Sequence, residues 1–487
     1  MNQEIRNLEP KPLWNKFADL NAVPRPSKKE DRVIAFMKDF GNSLGLETFE
    51  DEIRNVIIRK PATPGMENRK PLVLQGHLDM VHQKNADTVF DFDQQGIDMY
   101  VDGDWVRARG TTLGADNGLG VAMIMAILES KDIKHPSIEA LFTIDEETGM
   151  TGALNLKGGI LQGEILLNLD TEEDDEIGIG CAGGLDVTAT RTYHEEETPE
   201  GSVGYTITVK GLNGGHSGMD INKGLGNANK IMNRLLFDGF ENFGLQIAEV
   251  NGGSLRNAIP RESVAKVIVA AMYDEAYVFD MQEIIRDIKA EYQTTEPNLT
   301  IAIEKCDLPN KVMDLGVQEG IIRSIYAAHN GVYRMSADMG DLVETSNNVA
   351  RVIIKEGEIT IFCLTRSSVE SSKFDLANAL RAAFELCGCE VTLAGSYPGW
   401  TPNVNSEILD LLVKIYEKQN HVKPRVAACH AGLECGILGT HYPEMDMISF
   451  GPTIHGAHSP DERASILSAQ KFWNFVIEIL EHIPVKQ

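Results

Sequence analysis

Two residues that can act together at a metal ion, His77 and Asp79, lie a few positions after a short apolar run at residues 71–74. The run has the length and composition of a buried strand, in which side chains two positions apart point to the same face. A neutral imidazole is a good zinc ligand, and a nearby carboxylate can orient the ring or act on a bound water. A polar strand end explains the pair equally well, so the interpretation depends on the other strand ends.

Acidic residues follow the next two predicted strands and open one predicted helix. Residues 138–144 form an apolar run that ends before Glu146 and Glu147, and Asp170 follows a second run. Asp116 lies in a glycine-rich turn before an apolar helical segment, where its alternative role is to cap the helix. Alternating strands and helices predict an α/β sheet, whose ligands bind beyond the carboxyl ends of the strands.

These positions and one late loop histidine give five candidate metal ligands. They are His77, Asp116, Glu147, Asp170 and His458. Mixed histidine and carboxylate ligands suit zinc, cobalt or manganese better than calcium, which prefers oxygen ligands alone. Five ligands are many for one catalytic ion, but they fit two ions about 3.5–4 Å apart that share one carboxylate.

The chain of 487 residues is too long for one core, so we expect more than one domain. From about residue 187 the α/β pattern gives way to two sets of strands and helices of similar size, and proline-rich residues 397–402 mark the return. We therefore predict an α/β catalytic domain with helices on both faces of a mixed sheet, formed by residues 1–186 and 398–487. Residues 187–397 would form an inserted α+β lid domain of two similar halves.

Composition excludes several partners. The formal net charge is −27, which argues against nucleic acid or an anionic membrane as a partner. The N-terminus has no apolar signal region, and the seven cysteines are scattered, with only Cys387 and Cys389 close together. We therefore expect a cytoplasmic protein with reduced thiols.

The segment at residues 178–183 formally matches a dinucleotide-binding fingerprint. An acidic run precedes it instead of a buried strand, and the residues after it alternate like a strand instead of opening a helix. We therefore reject a dinucleotide site here.

Six motifs in chain order carry a resemblance to the M20 family of co-catalytic metallopeptidases, and within it to the bacterial aminoacyl-histidine dipeptidases. They lie at residues 76–80 (GHLDM), 112–118 (TLGADNG), 143–149 (TIDEETG), 168–170 (NLD), 214–218 (GGHSG) and 455–462 (HGAHSPDE). The resemblance implies a dipeptidase that acts on unblocked dipeptides, including Xaa-His, with two divalent cations, most simply zinc. It is also compatible with a homodimer.

The resemblance also assigns the five ligands. One cation would take His77, Asp116 and Asp170, and the other would take Asp116, Glu147 and His458. The peptide bond after the shared Asp116 is cis in relatives.

Further roles follow from the same resemblance. Glu146 would be the general base and Asp79 the residue that orients His77. His216 would stabilise the oxyanion; the alternative is a loop histidine without a role in the site.

Three residues would grip the substrate: Asn257, Arg366 and Glu434. Arg366 would pair with the substrate carboxylate, and Glu434 would hold the free amino group. Asn257 and Arg366 are equally explained as polar surface groups.

Other functions remain open at this point. An aminotripeptidase or an N-acyl-amino-acid deacylase would use the same metal chemistry on another amide. A non-catalytic binding module is disfavoured, because Glu146 and all five ligands are present.

Overall fold

A computed structural model describes residues 2–486 and divides into two compact units. The first unit contains the residues up to Gly180, Trp400–Ala428 and the residues from Leu433 onward. The second unit contains Cys181–Gly399 and the short segment Cys429–Gly432. The predicted domains, 1–186 with 398–487 and 187–397, remain predictions. They placed Cys429–Gly432 in the catalytic domain, whereas this segment belongs to the second unit.

Helices and strands alternate along most of the described chain. The α-helices are α1 Gln3–Arg6, α2 Lys11–Leu20, α3 Asp31–Ser43, α4 Ala115–Glu129, α5 Glu146–Gly149, α6 Thr151–Asn155, α7 Ala228–Phe243, α8 Asp274–Glu291, α9 Leu315–Ala327, α10 Glu370–Glu385, α11 Glu407–Asn420, α12 Glu434–His441 and α13 Ile466–His482. The strands are β1 Glu47–Glu50, β2 Val56–Lys60, β3 Leu72–His77, β4 Met99–Asp102, β5 Trp105–Ala108, β6 Ile138–Thr143, β7 Ile165–Asn168, β8 Glu176–Cys181, β9 Gly183–Thr192, β10 Glu195–Glu197, β11 Ser202–Lys210, β12 Gly215–His216, β13 Gln246–Gly253, β14 Ala258–Ile259, β15 Ser263–Ala270, β16 Thr300–Cys306, β17 Lys311–Met313, β18 Gly331–Met335, β19 Val343–Lys355, β20 Glu358–Ser367, β21 Glu390–Tyr397, β22 Arg425–Cys429, β23 Asp446–Ser449, β24 Ile454–His455 and β25 Arg463–Ser465. A 3₁₀ turn, Ala271–Tyr273, precedes α8.

The first unit is built on a mixed eight-stranded sheet in the order β1-β2-β6-β3-β7-β23-β8-β22. Its centre is parallel: β3 pairs with both β6 and β7, and β7 pairs with β23. Every residue of β3, β6 and β7 is buried, as expected for parallel strands that are covered on both faces.

Helices cover both faces of this sheet. On one face, apolar side chains of the strands pack with residues in and next to α6 and α12; the cluster includes Val73, Leu141, Leu166, Ala153 and Leu438. On the other face, Asn117 and Val121 of α4 approach Gly76 of β3. The predicted α/β architecture with helices on both faces is therefore confirmed.

The second unit is built on one antiparallel sheet in the order β16-β11-β15-β13-β19-β20-β9-β21, with β18 added beside β19. The pairing of β13 with β19, in which Val250 lies opposite Ile354, joins its two sets of strands into one sheet. The sequence reading missed β13, which is the strand that makes this junction. That the two halves are alike stays a prediction.

Helices α7 to α10 pack on one face of this second sheet. Alternate residues such as Tyr205, Ile207 and Val209 join them in a single apolar core. On the opposite face, Val264, Lys266 and Ala270 of β15 are exposed. The period-two alternation of these strands therefore reflects one buried and one solvated face.

Membrane-spanning helices were sought throughout residues 2–486. No helix in that range is both long enough and apolar enough to cross a bilayer.

Candidate functional site

The carboxyl ends of three neighbouring parallel strands bring the predicted residues of the first unit together. His77 is the last residue of β3, Glu146 and Glu147 begin the helix after β6, and Asp170 follows β7. Because β3 lies between β6 and β7, these ends share one edge of the sheet. The prediction that polar residues at the ends of these strands lie close together is therefore confirmed.

One group of side chains surrounds the ring of His77. Its Nε2 atom lies 3.1 Å from Asp116 Oδ1 and 3.5 Å from Asp170 Oδ1. The side chain of His77 is 1% exposed, that of Asp116 is 12% exposed and that of Asp170 is 8% exposed, so this group is nearly closed to solvent. Its three potential ligand atoms lie within 4.8 Å of one another.

A second group shares Asp116 with the first. His458 Nε2 lies 3.2 Å from Asp116 Oδ2 and 3.0 Å from Glu147 Oε2. The His458 side chain is 56% exposed, so this group opens to solvent. Asp116 therefore points one carboxylate oxygen at each histidine, which is the arrangement expected of a carboxylate that bridges two cations.

Asp79 lies beside the Nδ1 atom of His77. The Nδ1 atom of His77 lies 3.2 Å from the backbone carbonyl oxygen of Asp79, its hydrogen-bond partner, and 3.4 Å from Asp79 Oδ1. Asp79 also accepts hydrogen bonds from the backbone N–H of Glu146 (3.0 Å) and of Glu147 (3.3 Å) and from the Ser27 hydroxyl (2.8 Å). A proton on Nδ1, donated to the Asp79 carbonyl oxygen, leaves the Nε2 lone pair available to a metal ion.

Glu146 lies beside the first group, with a ligand atom within 4.8 Å of His77 and Glu147. Burial raises the pKa of Glu146 well above its usual range, and the neighbouring charges of Asp170 and Glu434 raise it further. The carboxylate is therefore placed to hold a proton at this edge of the sheet.

The residues of both groups fit divalent cations. Glu147 Oε1 and Asp170 Oδ1 are buried and have no hydrogen-bond partner. Carboxylates outnumber imidazoles in the cluster, and buried negative charge of this kind is costly without a positive partner. The donor set of histidine nitrogen and carboxylate oxygen is one that zinc, cobalt and manganese accept.

The turn that carries Asp116 is held by a residue that sequence reasoning did not single out, Glu462. Its buried carboxylate accepts hydrogen bonds from four successive backbone N–H groups, at residues 113–116, at distances of 2.6, 2.9, 2.8 and 3.3 Å. The peptide bond from Asp116 to Asn117 is cis, as predicted. Glu462 lies inside the predicted 455–462 motif, but its acidic side chain is typical of a surface loop, so its burial was not predicted.

A second unpredicted residue, Arg25, supports the same turn. Its fully buried guanidinium donates to the backbone carbonyls of Leu78, Asp79 and Gly114. Gly114 has φ +69°, and a Cβ there would lie 2.6 Å from Arg25 Nη2, so glycine is required on both grounds. The only sequence signal was an arginine between two prolines.

Glu434 heads a buried chain of hydrogen bonds beneath the cluster. Its Oε2 atom accepts from Gln75 Nε2 and from the Thr143 hydroxyl, both at 2.7 Å, and Gln75 in turn accepts from Asn168 at 2.6 Å. The other oxygen, Oε1, is buried without a partner. Burial raises the pKa of Glu434 to about 7.

The second unit brings two other predicted residues together. Arg366 Nη2 lies 3.4 Å from His216 Nε2, and its Nη1 donates to the Tyr397 hydroxyl at 2.9 Å. Ser346 lies opposite Arg366 in the β19–β20 pairing, and its hydroxyl forms a hydrogen bond with His430 Nε2 at 2.7 Å. We call His216, Arg366 and His430 the histidine–arginine cluster; His430 was not predicted, because no motif surrounds it.

The hydrogen bonds of His216 define its tautomer. Its Nδ1 atom accepts from the backbone N–H groups of Gly218 (3.2 Å) and Met219 (3.1 Å). Burial, with the adjacent charge of Arg366, lowers the pKa of His216 to about 4. The ring is therefore neutral near pH 7, with its proton on Nε2 as a hydrogen-bond donor.

Asn257 lies next to this turn and is exposed. Its backbone carbonyl accepts from the N–H of Ser217 at 2.8 Å. This contact helps to shape the turn of His216, while the role of the Asn257 side chain stays a prediction.

Comparison with known proteins identifies the family. The sequence profile of peptidase family M20/M25/M40 matches residues 73–482. The chain is 43% identical over 486 residues to the cytosol non-specific dipeptidase of Escherichia coli strain K12, which covers 99% of this chain and 100% of that protein.

Solved structures agree with this result. The crystal structure of aminoacylhistidine dipeptidase from Vibrio alginolyticus is similar with a TM-score of 0.94 and 44% identity, over 100% of this chain and 99% of that one. Aminopeptidase PepT from Bacillus cereus shares the fold, with a TM-score of 0.58 at 16% identity over 98% and 99% of the two chains. The chain therefore belongs to peptidase family M20/M25/M40.

Proposed function

We propose that this protein is a dipeptidase that hydrolyses unblocked dipeptides, including Xaa-His substrates, with two divalent cations, most simply zinc. The observation that carries the proposal is the shared carboxylate of Asp116, whose oxygens lie 3.1 and 3.2 Å from two different histidines. Two similar proteins over full length bear dipeptidase names, which supports the substrate class.

The ligand roles are part of this proposal. His77, Asp116 and Asp170 would hold one cation, and Asp116, Glu147 and His458 would hold the other. When bound, such cations lower the pKa of water and polarise a substrate carbonyl. The buried oxygens of Glu147 and Asp170 that lack hydrogen-bond partners support these assignments.

Glu146 would move the proton. Its backbone is fixed through Asp79, and its carboxylate would take a proton from the attacking water. The same carboxylate would then give that proton to the leaving amine nitrogen. Asp79 would act by holding His77 in the tautomer that presents Nε2.

The histidine–arginine cluster would supply hydrogen-bond donors for the substrate. His216 Nε2–H would donate to the developing oxyanion, and Arg366 with Asn257 would bind the terminal carboxylate. A neutral imidazole and a guanidinium suit these two tasks, since one donates a single proton and the other carries a permanent charge.

Glu434 would bind the free amino group of the substrate. Its buried Oε1 without a partner is an acceptor that an ammonium group satisfies. An N-acylated substrate has no ammonium group, so this contact favours a dipeptidase over a deacylase.

The experiment that tests the function compares purified protein, loaded with zinc, on Ala-His, carnosine, Ala-Ala-Ala and N-acetyl-alanine. We expect hydrolysis of Ala-His and carnosine and little release from the tripeptide or the blocked amino acid. A Glu146→Gln preparation made in parallel controls for contaminating peptidases. Preferential cleavage of Ala-Ala-Ala would indicate an aminotripeptidase, and preferential cleavage of N-acetyl-alanine would indicate a deacylase.

Two further predictions concern the intact protein. We propose a cytoplasmic location and a possible dimeric assembly of identical chains. Cell fractionation tests the location, and sedimentation velocity tests the assembly.

A further inference from the structure

The segment at residues 213–226 lies between β11 and α7 in the second unit and carries His216. Apart from the short strand β12, it consists of turns and irregular backbone. Its apolar packing is small, because Ile221 joins a cluster with the buried residues Ile259 and Val343. A segment with so little packing needs other contacts to hold His216 in one place.

Glu296, in the turn between α8 and β16, contacts both ends of this segment. Its Oε2 atom accepts a hydrogen bond from the backbone N–H of Asn213 at 2.7 Å, and its Oε1 atom accepts from that of Gly226 at 2.9 Å. Glu296 is 2% exposed. One buried carboxylate therefore closes the base of the segment, with one oxygen for each end.

Further contacts fix the same base. The Asn213 side chain donates from Nδ2 to the Thr295 carbonyl at 2.7 Å, so the first residue of the segment is held through both its backbone and its side chain. At the other end, a Cβ on Gly226 would lie 2.7 Å from Leu212 Cδ2, which leaves no room for a side chain there. The two ends are thus packed together around Glu296.

His216 is tied to the segment by local hydrogen bonds. Asp220 Oδ2 accepts from the backbone N–H of His216 at 2.7 Å, and the N–H of Ser217 donates to the Asn257 carbonyl at 2.8 Å. These bonds set the shape of the turn, while the closed base sets where the segment begins and ends.

The burial of Glu296 makes the closed base the favoured state. A buried carboxylate is costly unless hydrogen bonds compensate it, and both backbone donors to Glu296 come from the segment itself. Opening either end would remove one donor from a buried charge. The energy that keeps Glu296 satisfied is therefore the same energy that keeps the segment closed.

We propose that Glu296 is a positioning residue for hydrolysis, which fixes both ends of the segment 213–226 and thereby holds His216 at the place from which it donates. The inference rests on the proposed role of His216 as the oxyanion donor. Glu296 acts through that histidine and does not itself touch the substrate.

The test uses the full-length, zinc-loaded protein and the variant Glu296→Gln. Glutamine replaces one carboxylate oxygen by an NH₂ group, which cannot accept, so one end of the segment is released. Hydrogen exchange followed by mass spectrometry should show peptides within 213–226 exchanging about tenfold faster, while β15 exchanges as in the wild type. The matched control is Glu304→Gln, at an exposed glutamate of β16, which should leave both rates unchanged.

A double-mutant cycle with His216→Ala separates positioning from general destabilisation. On Ala-His, Glu296→Gln alone should lower kcat by about tenfold at nearly constant KM, because the donor is misplaced. In the His216→Ala background the same substitution should change kcat by less than about twofold, since the residue through which it acts is already gone.

A second variant covers poor folding of Glu296→Gln. Glu296→Asp keeps the negative charge but is one methylene shorter, so its carboxylate no longer reaches both N–H groups. Exchange within 213–226 should again be faster, and exchange of β15 at the wild-type rate shows that the protein is folded.

Unchanged exchange within 213–226 in both variants would overturn the proposal. An equal fall of kcat in the wild-type and His216→Ala backgrounds would also overturn it, because Glu296 would then act by another route. A full kcat in His216→Ala, together with faster exchange in Glu296→Gln, would reject the proposed role of His216 and with it the role of Glu296 in hydrolysis, although the segment would be anchored as described.

Discussion

The candidate metal ligands of the first unit and the histidine–arginine cluster of the second unit are both polar sites, but they have opposite electrostatic character. The first gathers carboxylates around two histidines, and these carboxylates raise the pKa of His77 well above its usual range although burial opposes this. The second places Arg366 beside two histidines, and burial together with that guanidinium lowers the pKa of His216 to about 4 and of His430 to about 3.

The difference shows what each site is suited to bind. An excess of buried carboxylate favours cations, whereas a guanidinium with neutral imidazole donors favours carboxylates and oxyanions. Substitutions in the first unit should therefore change metal content or proton transfer. Substitutions in the second should change substrate affinity or turnover and leave the metal in place.

The largest effect is expected for Glu146→Gln. Removing the proton acceptor should lower kcat by about 10²–10⁴-fold while metal content stays at the wild-type level. Steady-state kinetics and metal analysis of the same sample measure both quantities. Glu164→Gln, at an exposed carboxylate before β7, is the matched control, and loss of metal in Glu146→Gln would assign that residue to ligation instead.

His216→Ala tests the second unit at nearly the same scale. Loss of one oxyanion donor should lower kcat by about 10²–10³-fold, with smaller changes in KM and none in metal content. His194→Ala, at an exposed histidine of the same unit, should behave as wild type. A full kcat in His216→Ala would remove this residue from the mechanism.

Glu462→Gln examines the support of the bridging ligand. Glutamine replaces one carboxylate oxygen by an NH₂ group, which cannot accept from the backbone N–H groups, so metal affinity should weaken by about 10–100-fold. Competition with a chelator measures this affinity, and the neighbouring exposed Asp461→Asn is the control. Unchanged affinity would mean that the turn of Asp116 holds its shape without this carboxylate.

Arg366→Lys should have a smaller effect, confined to binding. Lysine keeps the charge but loses the planar pair of donors, so KM for dipeptides should rise by about tenfold at nearly constant kcat. Arg381→Lys, on the exposed face of α10, is the control. An equal rise in KM for a dipeptide amide, which lacks the carboxylate, would contradict the assigned contact.

The smallest effect concerns pH and stability. Because burial lowers the pKa of His430 to about 3 from 6.5, the unfolded chain binds a proton below about pH 6.5 that the folded chain does not bind. The free energy of unfolding should therefore fall as pH decreases below that value. Urea titrations at about pH 7 and about pH 5 should show a smaller fall for His430→Asn than for wild type, and an equal fall would contradict the linkage.

The positions of the strand-end residues in the first unit could be predicted from the sequence, because the order of strands and helices is visible in the chain. Parallel strands such as β3 and β6 end at one edge, so polar residues at consecutive strand ends meet in space. The five candidate ligands, Glu146 and Asp79 all fall in groups of neighbouring side chains, and their roles stay predictions. The cis bond after Asp116 was implied by the family resemblance and is present.

The residues that were missed act through long-range packing. Glu462 and Arg25 are charged side chains that become buried only because distant backbone groups meet them, and no local period marks such positions. Strand β13 and His430 were missed for a related reason, since each gains its role from pairing with a segment far along the chain.

One feature of the first unit links its two proposed cation positions. Glu462 is four residues after His458 in the same loop, and it also fastens the turn that presents Asp116. If that loop moves out of the site, His458 is lost from one cation position, and the turn of the shared Asp116 loses its contact with Glu462 at the same time. Removal of the two cations by a chelator should consequently be cooperative. Protein that retains a single cation should be sparsely populated during the titration.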